Sequence, residues 1–355
     1  MTSRIVVHLD AIRENVSALA ALAAPARTMF AVKADAYGHG LLPVARAGLD
    51  AGADSLAVLD VPAALAVRDA GIEVPLFAWL HGADTEFRPA IDSRVDLGVS
   101  SLRELERIAT AGAERAAEVH LKIDTGLHRN GADPKDWPAL VGAALDLERH
   151  GRVRIAGIWS HLADASPADD RAALDRFRAA VDIAGEMGVP LEGERRPVLH
   201  LAASSAGIRF PEARLDLVRF GIAAYGVSPF DDVDAPGLGM RGTLSMFADV
   251  IGVDGDVAVL EVGSADGIPP SVLGASGRGA EILLAGSRAA VLEVGLDTLR
   301  VRIPEGTTVA LGDEAVVYGP HAGAPSVEDW AHWAATIGDE ILARSSRRLP
   351  RHYTG

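Results

Sequence analysis

A lysine closes the apolar run Met29-Phe30-Ala31-Val32, and a turn bearing two glycines follows it, Ala34-Asp35-Ala36-Tyr37-Gly38-His39-Gly40. Lys33 admits two readings. A lysine at the end of a buried strand usually snorkels to water or pairs with an acid. If its amine is partly desolvated, the lowered pKa lets it form a Schiff base with a carbonyl. Tyr37 carries a phenol that could reach a phosphate. Other stretches hold groups of the same kind. Lys122 and Asp124 stand in HLKIDTGLHRNG, with Arg129 just beyond. His161 stands in GIWSHLADA, His200 to Ser205 in VLHLAASS, and Arg219, Gly221 and Ile222 in LVRFGIAAYG. Taken singly, a strand-end histidine is usually just hydrogen-bonded and an arginine usually sits in an ion pair. Taken together, they offer an amine, an imidazole, two arginines and a small-residue phosphate cradle in Ser204, Gly221 and Ile222.

Such a set must be brought to one rim. Short apolar runs at 29–32, 55–59, 76–79, 96–100, 118–123, 154–159, 198–202 and 216–220 alternate with amphipathic helical stretches such as 101–111 and 168–188. Eight strands with helical crossovers fit a (β/α)8 TIM-type barrel better than an open doubly wound sheet. The candidate residues then all fall at C-terminal strand ends, where such barrels place their chemistry. An amphipathic helix over 11–24, with Asp10 as its N-cap, precedes them. After about residue 235 the pattern changes to strand-like runs at 243–253, 256–262, 281–285, 288–294, 299–303 and 308–317 with no helix between them. These predict a C-terminal antiparallel β domain. A Ser326-x-x-Asp329 capping box opens a terminal helix over 326–345. The expected domains are therefore 1–235 and 236–355, with 230–239 as the linker.

The chain of 355 residues, with 49% apolar and 23% charged residues, has the composition of a soluble globular enzyme. A net charge of -15 disfavours nucleic acid and anionic membranes as partners. The absence of cysteine excludes disulfides, thiolate metal sites and a cysteine nucleophile. No metal site is expected. No leader-like or twenty-residue apolar stretch stands out, so a cytoplasmic protein is expected.

The string around Lys33 resembles the cofactor-lysine motif of the alanine racemase family, and the likeness runs densely from about residue 3 to residue 235. The resemblance implies pyridoxal 5'-phosphate as cofactor, held on Lys33. It implies the phosphate on Tyr37, Ser204, Gly221 and Ile222, His161 against a face of the pyridine ring, and Arg219 opposite the ring nitrogen. A permanent donor there leaves that nitrogen unprotonated and weakens the electron sink. Arg129 would bond the cofactor's phenolic oxygen or a substrate carboxylate. The lysine matching Lys122 is carbamylated in some members to brace that arginine. The resemblance also implies a head-to-tail homodimer binding a small amino acid. The seventh-strand motif has Ala203 where asparagine is usual.

The C-terminal half resembles the family in layout but departs in chemistry. Family members carry a tyrosine in a Val-Ser-Tyr-Gly segment, the acid/base for the opposite face of the substrate; here 244–262 runs from one strand to the next without it. Gly-Tyr-Ala-Asp-Gly appears as Gly263-Ser264-Ala265-Asp266-Gly267, and Cys-Met-Asp-Gln as Gly295-Leu296-Asp297-Thr298. The phosphate-binding tyrosine near the end is matched by Arg347 in Ser346-Arg347-Arg348-Leu349-Pro350-Arg351. Asp297 is the expected substrate-side carboxylate. It stands with Asp266, His128 and water among the replacements for the second base. The expected function is alanine racemase-like isomerisation at Cα of a small amino acid. The alternatives are a one-base pyridoxal-phosphate reaction (transaminase-like, decarboxylase or lyase) and a non-catalytic homologue. The latter would pair in a mixed dimer with a complete racemase.

Overall fold

A computed structural model describes residues 3–112, 115–273, 279–345 and 348–355. The chain divides into two compact units, one made of Val16–Lys33 and Gly52–Gly221, the other of Met1–Asn15, Ala34–Ala51 and Ile222–Gly355. The first strand, β1 (Arg4–His8), belongs to the second of these.

The first unit is the expected (β/α)8 barrel. Its strands are β2 (Arg27–Ala31), β3 (Ser55–Val58), β4 (Leu76–Ala78), β5 (Asp96–Val99), β6 (Ala117–Lys122), β7 (Val153–Trp159), β8 (Val198–His200) and β9 (Leu217–Phe220). They pair in parallel in the order β8-β7-β6-β5-β4-β3-β2-β9. Backbone bonds from Asp216 N to Leu199 O (3.1 Å) and from Arg219 N to Ala202 O (3.1 Å) close the ring. The Asp216 carboxylate braces this closure by accepting from Leu199 N and from both terminal nitrogens of Arg196. Strands covered on both faces read as continuous apolar runs because no residue points to water. Met29, Ala57, Phe77, Trp159 and Leu217 fill the barrel core. Side-chain oxygens of Asp60, Ser101 and Ser166 cap the helices that follow β3, β5 and β7.

The second unit is antiparallel apart from one strand pair. β10 (Leu244–Asp254) gives its first half to β1 and its second half to β11 (Val257–Leu260). β12 (Glu281–Leu284), β13 (Ser287–Val294), β14 (Leu299–Arg302) and β15 (Glu314–Tyr318) follow in the order β11-β14-β13-β12-β15-β10. The extra β11–β10 pairing curls these six into a barrel. β16 (Arg351–Thr354) lies parallel to β1. A tight turn, Gly255-Asp256, joins β10 to β11, with Gly255 at φ 59.

Several local expectations are corrected. Asp10 does not cap the first helix, which begins at Leu9 and takes Asp10 into its first turn. There the Asp10 carboxylate accepts from Arg241. Residues 308–313 are not strand. Two short 3-10 turns, Ser264–Asp266 and Pro270–Leu273, interrupt the C-terminal strands. The terminal helix is two helices, Val327–Ala334 and Gly338–Ala343, because Ala335 turns left-handed at φ 53. The capping box at Ser326 and Asp329 is present in both directions. No helix among the described residues is long and apolar enough to cross a membrane.

Candidate active site

Arg219, on β9, is 7% exposed. Burial pulls its pKa down to about 9. Its guanidinium donates to Ser160 O (2.8 Å), Leu201 O (2.8 Å) and His200 Nδ1 (2.9 Å), with His161 Nδ1 at 3.3 Å. An arginine can only donate, so His200 Nδ1 must accept and its proton sits on Nε2. That nitrogen lies 2.8 Å from His120 Nδ1, which must then accept in turn. His120 Nε2–H faces Asp96 Oδ2 at 3.5 Å. One donor thus sets the tautomers of two buried imidazoles. Burial, then Arg219, His120 and Arg27, hold His200 well below the usual histidine pKa. The relay needs Gly157, since a Cβ there would lie 2.3 Å from His120 Nδ1.

The same barrel unit brings together most of the sequence-derived set. His161 is held neutral by burial and then by Arg219, Arg129, Lys122 and Lys33. Arg219 is in contact with this uncharged ring, and the charges of Arg129, Lys122 and Lys33 act on it in the same direction. Lys122 is 4% exposed, with Nζ 4.4 Å from the Trp159 ring centroid. Burial, then Arg219 and Arg129, lower its pKa to about 8, against Asp124 and Glu104. Trp159 also stacks on His200 (5.6 Å, 6° between planes) and lies under Arg219 (5.2 Å). Ser204 Oγ accepts from Gly221 N at 3.1 Å, which joins the ends of the seventh and eighth barrel strands.

Tyr37, Ile222 and Asp297 belong to the other unit. Ala34, Asp35, Ala36 and Tyr37 are all left-handed, with φ between 50 and 56. Four successive non-glycine residues in that region store about 1–2 kcal/mol each. The turn is held by Gly38 N→Ala34 O, His39 N→Ala36 O and Gly40 N→Asp35 O. Asp35 Oδ1 accepts from Leu41 N (2.8 Å), the first amide of the helix Leu41–Asp50. The Tyr37 ring packs on Tyr225 at 4.5 Å, and Ile222 opens the short 3-10 turn that carries Tyr225. Burial raises both phenols well above their usual pKa. Tyr225, Trp159 and His120 were not singled out from the sequence. Trp159 ends a barrel strand and Tyr225 lies in GIAAYG, so their positions were the available signals.

The proposed second bases are placed plainly. Asp297 is exposed and accepts from Arg348 Nη1 at 2.9 Å, so it is neither buried nor unpaired. Asp266 is buried and accepts from Gly263 N, while His128 is exposed beside Asp124. Arg347 lies outside the described residues. No tyrosine occurs between Leu244 and Tyr318.

The donor set fits a group bearing a phosphate. Around His161 and Lys122 the cations outnumber the acids Asp124 and Glu104, and an anion would answer them. Pyridoxal phosphate, as implied by the resemblance, is such a group. Among the described residues no cluster of three His, Asp or Glu side chains could hold a metal ion. The lowered pKa of Lys122 gives a test. Competitive acylation of the chain's three lysines across pH, read by peptide mass, should show Lys122 labelling rising through a midpoint near 8. A midpoint at or above about 10, the ordinary lysine range, would contradict the electrostatics described.

Comparison with known proteins places the chain. The profile of "Alanine racemase, N-terminal domain" matches residues 7–229, and "Alanine racemase, C-terminal domain" matches 250–353. An alanine racemase of Thermobifida fusca is 38% identical over 375 residues, covering 98% of this chain and 97% of the relative. One from Frankia casuarinae is 40% identical over 375 residues, covering 98% and 95%. The crystal structure of alanine racemase from D-cycloserine-producing Streptomyces lavendulae superposes with a TM-score of 0.92 at 37% identity, covering 100% of this chain and 97% of that one. That of Bacillus anthracis, with bound L-Ala-P, has a TM-score of 0.87 at 26% identity, covering 100% and 95%. The chain belongs to the alanine racemase family, whose cofactor is pyridoxal phosphate.

Proposed function

We propose that this chain is an amino-acid racemase-family isomerase that acts on alanine, with Lys33 as the residue that carries pyridoxal phosphate. The observation that supports it most is the placing of Lys33, Lys122, His161 and Arg219 at or just past the C-terminal ends of barrel strands, with Arg219 3.3 Å from the neutral His161. When bound, the cofactor draws electrons from the substrate Cα and makes its proton labile. Ser204 and Gly221 on the barrel, with Tyr37 and Ile222, would hold the phosphate. His161, kept uncharged, would lie against the ring face, and Arg219 would donate to the ring nitrogen without protonating it. Arg129 would take the substrate carboxylate or the phenolic oxygen, with Lys122 bracing it in a carbamylated, anionic form and Asp297 on the substrate side. Lys33 Nζ is the base for one face of Cα.

A second reading is favoured by the tight Gly255-Asp256 turn, which leaves no segment between β10 and β11 for the family's opposite-face tyrosine. On that reading Lys33 is the sole competent base. The chain then exchanges the Cα proton on one face, performs a one-base reaction on the same cofactor, or completes a racemase as the non-catalytic half of a mixed dimer. Loss of one acid/base group predicts an inversion rate lower by about a hundredfold to ten-thousandfold.

Three measurements decide among these. Borohydride reduction followed by peptide mass analysis should place the pyridoxyl adduct on Lys33; an adduct on Lys122, or none, overturns the assignment. Inversion and deuterium incorporation should then be followed for each alanine enantiomer in heavy water, in the native chain and in Asp297→Asn. One-sided exchange with slow inversion supports the single-base reading. Rapid inversion lost in the variant shows a replaced second base, and rapid inversion kept in it removes the single-base reading. The expected homodimer is read by light scattering over a dilution series of the cofactor-loaded protein; a persistent monomer rejects it.

A further inference from the structure

The left-handed turn that carries Tyr37 is short of local support at one carbonyl. Backbone bonds within 34–40 use the carbonyls of Ala34, Asp35 and Ala36, and His39 Nδ1 takes that of Tyr37 at 3.0 Å. The Gly38 carbonyl is answered from the far end of the chain. Arg351 Nε donates to it at 2.7 Å, and Ser345 Oγ lies 3.5 Å away. Arg351 is itself fixed. It opens β16, in register with Ile5 of β1, and Ile5 N bonds Pro350 O at 3.0 Å. Its Nη2 donates to Ser345 O at 3.2 Å. The fit around the turn is close: a Cβ on Gly38 would lie 2.3 Å from Ser345 Oγ, and one on Gly40 would lie 2.2 Å from Tyr353 Oη.

We propose that Arg351 is a positioning residue: from the terminal strand it holds the Gly38 carbonyl, keeps Ala34–Tyr37 left-handed, and so presents the Tyr37 phenol to the cofactor phosphate. The last clause rests on the reading of Tyr37 given above. The physical case is that a strained turn persists only where its surroundings over-determine it. A charged donor on a neutral carbonyl is among the stronger single restraints available. Methionine at 351 keeps most of the side-chain volume and removes the donors. Lysine keeps one donor without the planar fork, so it should restore part of the effect.

The test uses the full chain in the cofactor-free form, with circular dichroism and thermal unfolding to show that each variant is folded. Hydrogen exchange at the amides of 38–41 reads the turn directly. Titration with pyridoxal phosphate and with pyridoxal, which lacks the phosphate, reads the phosphate subsite. Arg351→Met should speed exchange at 38–41 by about tenfold or more. It should weaken pyridoxal phosphate by a similar factor and leave pyridoxal unchanged, with partial rescue in Arg351→Lys. Combined with Tyr37→Phe it should add little, since both act on one contact. Unchanged exchange in Arg351→Met overturns the proposal, as does equal weakening of both ligands. If Tyr37→Phe alone leaves pyridoxal phosphate affinity intact, the phosphate role of Tyr37 fails; the exchange data still decide whether Arg351 holds the turn.

Discussion

A guanidinium inside a barrel must find its solvation in the protein, and much of the candidate site follows from how Arg219 finds it. Its donors reach two strand-end carbonyls and two imidazole nitrogens. Each contact constrains a neighbour. His200 is forced into one tautomer, His120 follows, and Trp159 is pinned flat against His200. A buried charge left without such partners would be strongly destabilising. The partners are therefore part of the site even though they lie behind it.

The consequence at the rim is electrostatic. Arg219 and Arg129 act as repelling charges on Lys122, and the His161 ring stays uncharged first because it is buried and then because nearby cations oppose a further positive charge. Such an arrangement is tense in isolation and relaxed by an anion. In this respect the site is pre-organised for a charged ligand, with the electrostatic work done during folding rather than at binding.

How far this was legible in the amino-acid sequence depends on what kind of signal each element carries. The eight barrel strands read directly, because strands buried on both faces are uninterrupted apolar runs. β1 did not read as a strand: its partners are Leu244 to Phe247 and Arg351 to Thr354, hundreds of residues away. β16, Arg-His-Tyr-Thr, has no apolar alternation at all. The break at Ala335 and the left-handed turn at Ala34 to Tyr37 went unread, since residue type seldom announces positive φ outside glycine and asparagine. Lys33, His161 and Arg219 were found because strand ends are where a barrel keeps its chemistry. The chain of imidazoles behind Arg219 was not, because it depends on the missing Cβ of Gly157. The carboxylate of Asp297, expected on the substrate side, lies exposed beside Arg348.

The placement of β1 between β10 and β16 also orders events in time. The barrel unit, Val16–Lys33 with Gly52–Gly221, has all its strands once residue 221 has left the ribosome. β1 is made before any of them, yet the partner on its outer edge, β16, is made after all the other described strands. At roughly 5–20 residues per second, that edge waits about 17–70 seconds with its backbone groups unpaired. An unpaired edge is a template for wrong pairing, and closure across so long a loop is slow. The charged Arg4 and the histidine at position 8 flank its three aliphatic residues and make the waiting strand a poor template. The earliest of the described strands to be made is among the last to be satisfied.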